Sequence, residues 1–132
     1  MNNICTPATA ARLKAAGFPQ PDPAPGQFWY IEGALYMVRT SVPAGRYKDF
    51  MLSRLNSGYD AFVKEERFSG LVFAPGVADL LRELPGYDIG YYTAVEGKPV
   101  FIAFDDNGEK AAEGKSPAEV LAAAWLELHE GK

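Results

Sequence analysis

Histidine and cysteine are almost missing from this chain: His129 and Cys5 are the only ones. A single thiol cannot close an internal disulfide, and without a run of Cys and His at ligand spacing no metal site is expected. The fold must therefore rest on burial of apolar side chains. The 132 residues suffice for that, since a chain of this size withdraws roughly two-thirds of its unfolded surface from water in one core. No GxSxG elbow, Walker-type loop or dinucleotide fingerprint occurs, so no cofactor is expected either. Apolar runs stay well short of the roughly 18 residues a membrane helix needs, and the start, MNNICTPATAARLKAAG, has no basic head before an apolar stretch. The expectation is one cytoplasmic domain over residues 1–132, without membrane contact.

Basic charge is also scarce. The formal net charge is −4, and it is unevenly spread: residues 1–38 balance, residues 39–67 carry six basic and four acidic groups, and residues 68–132 carry five basic against eleven acidic. Binding along a nucleic-acid backbone needs clustered Lys and Arg to displace counterions, so no nucleic-acid partner is expected. Dispersed charge of this kind reads first as solvated surface. A basic protein partner is compatible with it.

Aromatics, in contrast, are plentiful at 17 Phe, Tyr and Trp. Many fall in two stretches that read as β-hairpins. In Ile89–Phe104, a two-residue turn at Glu96-Gly97 pairs Thr93 with Val100, Tyr91 with Ile102 and Ile89 with Phe104, leaving both faces apolar. In Phe28–Thr40, a turn at Glu32-Gly33 sets Trp29 against Tyr36, Tyr30 against Leu35 and Phe28 against Met37. Two such hairpins suggest one antiparallel sheet of about four strands. Sheet faces without charge need cover on both sides. The expected fold class is α+β, a three-layer sandwich with helices on both faces of that sheet.

Helix signals supply the cover. Thr6 as N-cap, Pro7 at the first position and Gly17 as a left-handed stop predict a helix over about Pro7–Ala16. Val77, Leu80, Leu81 and Leu84 form one apolar stripe closed by Pro85-Gly86, after a short strand at LVF. Ser116-Pro117-Ala118-Glu119 is a capping box ahead of a helix whose stripe is Leu121, Ala124, Trp125 and Leu128, with Val120 beside it. Asn107-Gly108 marks a tight turn. Between these, prolines at every second position from Pro19 to Pro25 predict an extended connector over 19–27. Residues 41–70 read as an irregular insertion, with Phe50, Met51 and Leu55 at roughly helical spacing predicting a helix over about Tyr47–Leu55 and a loop after it.

The order of LKAAGFPQ, the Trp29-Tyr30 pair, FAPGVADLLRELP, the aromatic hairpin and AEGKSPAEVLAAAWLEL resembles a group of small phage- and prophage-type proteins with a helix-sheet-helix sandwich domain. The proline connector and residues 41–70 have no counterpart in it. The resemblance implies a mobile-element origin and carries over no catalytic residue.

Candidate chemistry is correspondingly thin. His129, at a helix end, suits the terminal carbonyls and the helix dipole. Asp105, Asp106, Asn107 and Glu109 begin like a calcium loop, but Lys110 stands where that loop needs glycine. Glu65-Glu66 has no identifiable partner. No catalytic residue is expected, and the protein reads as a non-enzymatic accessory protein of phage or mobile-element type that binds a protein partner. The candidate binding residues are Trp29, Tyr36, Arg39, Arg46 and Tyr47, because aromatics beside arginine suit a protein hot spot. They also suit a stacked heterocycle, so the alternative is a protein that sequesters a nucleotide-like small ligand in an aromatic pocket. A sheet edge would allow a homodimer.

Overall fold

The computed structural model describes residues 3–44, 47–55 and 57–130, with the backbone alone for Ala44 and Tyr47. The chain divides into two compact units, Phe18–Ala74 and a second made of Met1–Gly17 with Pro75–Lys132. It is an α+β protein whose strand pairings are all antiparallel.

The Phe18–Ala74 unit is built on a five-stranded sheet in the order β4-β3-β2-β1-β5. Its strands are β1 (Phe28–Ile31), β2 (Ala34–Ala44), β3 (Tyr47–Arg54), β4 (Asp60–Lys64) and β5 (Val72–Phe73). The β1–β2 hairpin has the expected register, Trp29 opposite Tyr36 and Phe28 opposite Met37. Its turn places Glu32 at φ 51° and Gly33 at φ 81°. Both central residues are thus left-handed, the two-residue turn whose twist matches the flanking strands.

Tyr47–Arg54 form a strand, not the expected helix. Phe50 and Leu52 are buried while Met51 and Ser53 are half-buried, which is a period of two. Long strands β2 and β3 pair along most of their length, with a bulge that leaves Arg39 as the extra residue between Val38–Leu52 and Thr40–Met51. The described residues of 41–70 are consequently mostly regular: the end of β2, then β3, β4 and a 3₁₀ helix over Glu65–Gly70. Trp29, Tyr36, Val38, Phe50, Leu52 and Phe73 lie on one side of this sheet and are buried. Phe68 of the 3₁₀ helix closes over them, edge-on to Trp29 at 5.0 Å and to Phe50 at 5.3 Å.

The second unit holds α1 (Pro7–Ala15), α2 (Val77–Arg82), β6 (Asp88–Thr93), β7 (Pro99–Phe104), β8 (Lys110–Gly114) and α3 (Pro117–His129). The three strands make a separate sheet, β6-β7-β8, so the two hairpins do not share one sheet of about four strands. Thr6 caps α1, its hydroxyl accepting from the Thr9 amide, and Ser116 caps α3 through the Glu119 amide. The Glu119 carboxylate turns to α1, accepting from the Thr6 amide and the Thr9 hydroxyl, so one side chain joins two helix starts. α3 packs on β7 and β8 and also meets α1 and α2. It buries Val120, Leu121, Ala124 and Trp125 as expected, but Leu128 is exposed. The Phe18–Ala74 unit has no α-helix among its described residues, so its sheet has no α-helical cover of its own, and in the second unit it is α3 that lies against β7 and β8.

The β6–β7 hairpin departs from its expected register by one residue: Thr93 faces Pro99, Tyr91 faces Phe101 and Asp88 faces Phe104. Ala94 and Lys98 flank a three-residue loop, with bonds from Ala94 N to Lys98 O and from Gly97 N to Ala94 O. Gly97 alone is left-handed there, at φ 80°. A non-glycine residue disfavours that region, and the extra loop residue spares Glu96 from it, whereas the shorter turn imposes it on Glu32. Asp105 to Glu109 closes the same way. The slip exchanges the faces, and the hairpin is not dry on both sides: Tyr91, Tyr92 and Val95 are exposed.

Candidate functional site

A concavity in the Phe18–Ala74 unit follows from the proline connector. Prolines carry no N–H, so Pro19–Pro25 can hardly tie itself down by backbone bonds. Two glutamines at its ends do so. Gln20 Oε1 accepts from the Phe73 amide at 3.0 Å and its amide group donates to the Phe18 carbonyl. Gln27 Oε1 accepts from the Ala24 amide at 2.9 Å and from Trp29 Nε1 at 3.0 Å, while its Nε2 donates to the Asp22 carbonyl at 2.9 Å. The connector is thereby held as a stiff wall beside Trp29.

Opposite that wall stands the 3₁₀ helix. Between them lies a cavity of about 390 Å³, lined on the connector side by Gln20, Pro21, Asp22 and Pro23. Trp29 and Phe68 form its floor, and Glu65, Glu66 and Ser69 its far side. The size falls within the ordinary range of small-ligand sites. Its lining brings together three carboxylates, two prolines and two aromatic rings, and includes no Lys, Arg or His. The three acids are exposed at the rim. Among the described residues no group of three or more His, Cys, Asp or Glu is arranged to hold a metal ion. An apolar floor under a negative rim favours an organic cation, such as a guanidinium or ammonium group, over an anion.

Of the five candidate binding residues, Trp29 and Tyr36 are brought together as cross-strand partners, and both are buried at 1% and 7% exposure. Trp29 reaches the site as part of its floor, and Tyr36 packs edge-on to Tyr59 at 6.4 Å. Arg39 is exposed on the bulge of β2 and is not part of the lining. Arg46 lies outside the described residues. Tyr47 begins β3. Asp22 is the lining acid that sequence reasoning missed, and Glu65-Glu66 were weighed there only as adjacent acids without a partner. The available signal was the pair of glutamines bracketing the proline run, because a segment poor in N–H groups needs side-chain amides to fix its path.

In the other unit Cys5 is fully buried, 3.7 Å from the Ala118 carbonyl. Burial holds its thiol strongly protonated, reinforced by the charge of Glu119, a hydrogen bond with Glu119 and the charge of Asp79. His129 lies 11 residues further along α3, about 16 Å away at helical rise, so the two form no nucleophile–base pair. His129 Nδ1 sits 2.9 Å from the Trp125 carbonyl, with the rings stacked at 4.0 Å. Cys5 should accordingly react with a thiol reagent only as fast as the unit opens. Its folded pKa is raised, so the unfolded thiol ionises first and stability should fall as pH rises above about 8.5. Labelling that matches the rate of a free thiol in native buffer would contradict this burial.

No protein-family model matches the chain, and neither a curated protein nor a solved structure matches it.

Proposed function

We propose that this protein acts by binding rather than catalysis, and that the Trp29-floored cavity receives a basic side chain presented by a protein partner. The carrying observation is the lining itself: Asp22, Glu65 and Glu66 converge from two distant segments on an apolar floor with no cation among them. Magnitudes favour a protein over a free small molecule. Exposed ion pairs contribute about 0–1 kcal/mol each, and Trp29 and Phe68, 1% and 4% exposed, leave a cation little ring face to lie over. Three such pairs fall short even of the roughly 4 kcal/mol of millimolar affinity for a lone guanidinium. Useful affinity needs the flanking surface that a peptide or protein brings. A nucleotide-like ligand fits less well, because its phosphates would meet the three carboxylates. An accessory role of phage or mobile-element kind, inside the cytoplasm, accords with the resemblance of the helix and hairpin motifs and is part of the same reading. No helix among the described residues is long and apolar enough to cross a membrane.

The test is calorimetric titration with an arginine-containing peptide, its citrulline counterpart and ATP. Binding of the arginine peptide is expected, with about tenfold loss in the citrulline peptide and in an Asp22→Asn, Glu65→Gln, Glu66→Gln variant. Equal affinity for both peptides, or tighter binding of ATP, would overturn the proposal.

A further inference from the structure

We infer that β4 is a self-pairing edge, through which two copies of the chain join their five-stranded sheets across a two-fold axis passing by Phe62. The two ends of this sheet are treated differently. At one end β5 is only two residues long and its Phe73 amide is already occupied by the Gln20 side chain. At the other, β4 presents a five-residue edge, Asp60-Ala61-Phe62-Val63-Lys64. Edge strands in soluble proteins are usually shortened, bulged or guarded by charge, and an exposed apolar residue in the middle of one invites pairing. Phe62 is such a residue, 71% exposed.

Backbone geometry makes the same edge available. The Tyr59 carbonyl accepts from the Arg54 amide at 2.7 Å. Bonding residues alternate along an antiparallel strand, so Ala61 and Val63 turn their polar groups toward β3, and Asp60, Phe62 and Lys64 turn theirs outward. Only one register about a two-fold axis uses all three: Phe62 faces Phe62 of the second copy, and Asp60 faces its Lys64. In that register both crossings are opposite-charge pairs on the same exposed face, and the central pair is aromatic on aromatic. The strand is its own complement. Such an interface is isologous and closes at two copies. The corresponding edge β6, Asp88-Ile89-Gly90-Tyr91-Tyr92-Thr93, carries one acid and no base, so no register gives it a matching charge pair. This inference rests on the pairing of β4 and not on what the cavity binds, although Glu65 of the cavity follows Lys64 directly.

A five-residue seam buries less than the roughly 1,200 Å² of a tight complex, so the dimer is expected to be micromolar or weaker. Sedimentation equilibrium of the full chain between about 10 µM and about 1 mM should show the mass rising from one copy to two. Lys64→Glu sets two like-charge pairs in the seam and should weaken association at least about tenfold. Asp60→Lys should do the same, and Asp60→Lys with Lys64→Asp should restore it. Phe62→Ser should weaken it without lowering the melting temperature, since Phe62 has little to lose in the monomer. Circular-dichroism melting of each variant separates lost pairing from lost folding. A chain that stays monomeric across the range overturns the inference, as does a dimer indifferent to Lys64→Glu or a folded double swap that remains monomeric.

Discussion

Replacing Trp29 with alanine should destabilise the Phe18–Ala74 unit by about 3–5 kcal/mol, a large share of what a domain of this size has in reserve. Trp29 is 1% exposed and meets Phe68 at 5.0 Å and Phe73 at 5.4 Å, so truncation leaves a void that three elements would have to collapse to fill. It also removes the indole N–H that occupies Gln27 Oε1, loosening the proline wall. Trp29→Phe keeps most of the apolar contact and removes the N–H, so a smaller loss of about 1–2 kcal/mol is expected from that variant. Urea denaturation followed by circular dichroism measures both. A loss below about 1 kcal/mol for Trp29→Ala would mean that the sheet does not depend on this ring.

The second large effect is expected in the other unit, at the turn after α2. Gly86 has φ +83°, and a Cβ placed there would come within 2.9 Å of the Asp106 Cβ and 3.6 Å of its Cα. Gly86→Ala thus combines a left-handed backbone, about 1–2 kcal/mol for a residue with a side chain, with an overlap that backbone must move to relieve, about 1–3 kcal/mol. Gly97 provides the comparison. It has φ +80° but nothing within 4 Å of the added carbon, so Gly97→Ala should show only the backbone part. Equal losses at the two positions, measured by thermal unfolding, would show that the approach of Asp106 is not close.

Local signals in the sequence mapped well onto local structure. Thr6, Ser116 and Gly17 mark helix ends where expected, and the Glu32-Gly33 turn sets the register of β1 and β2. The failures share a cause, which is that long-range pairing overrides a short pattern. Phe50, Met51 and Leu55 fall near a helical period, yet pairing of β3 with both β2 and β4 selects the two-residue period of Phe50 and Leu52. At Glu96-Gly97 one added loop residue shifted every pair of the following strand. The cavity was illegible for a related reason. Asp22 lies far along the chain from Glu65 and Glu66, and neither acid pair nor connector suggests a site until the sheet places them around Trp29. Trp29, one of the expected binding residues, lines the cavity as part of its floor, and its cross-strand partner Tyr36 lies in the core.

The most direct measurement of the binding claim is a ¹⁵N–¹H spectrum of the two indole N–H groups during titration with the arginine peptide. Trp29 Nε1 is bonded to Gln27, which ties the connector at Asp22 and Ala24 beside the cavity, whereas Trp125 stacks on His129 in the other unit. The account predicts a saturable shift of the Trp29 indole signal, a still Trp125 signal, and no Trp29 response to the citrulline peptide or in the Asp22→Asn, Glu65→Gln, Glu66→Gln variant. A Trp29 signal that stays fixed while the peptide binds would place the interaction elsewhere and contradict it.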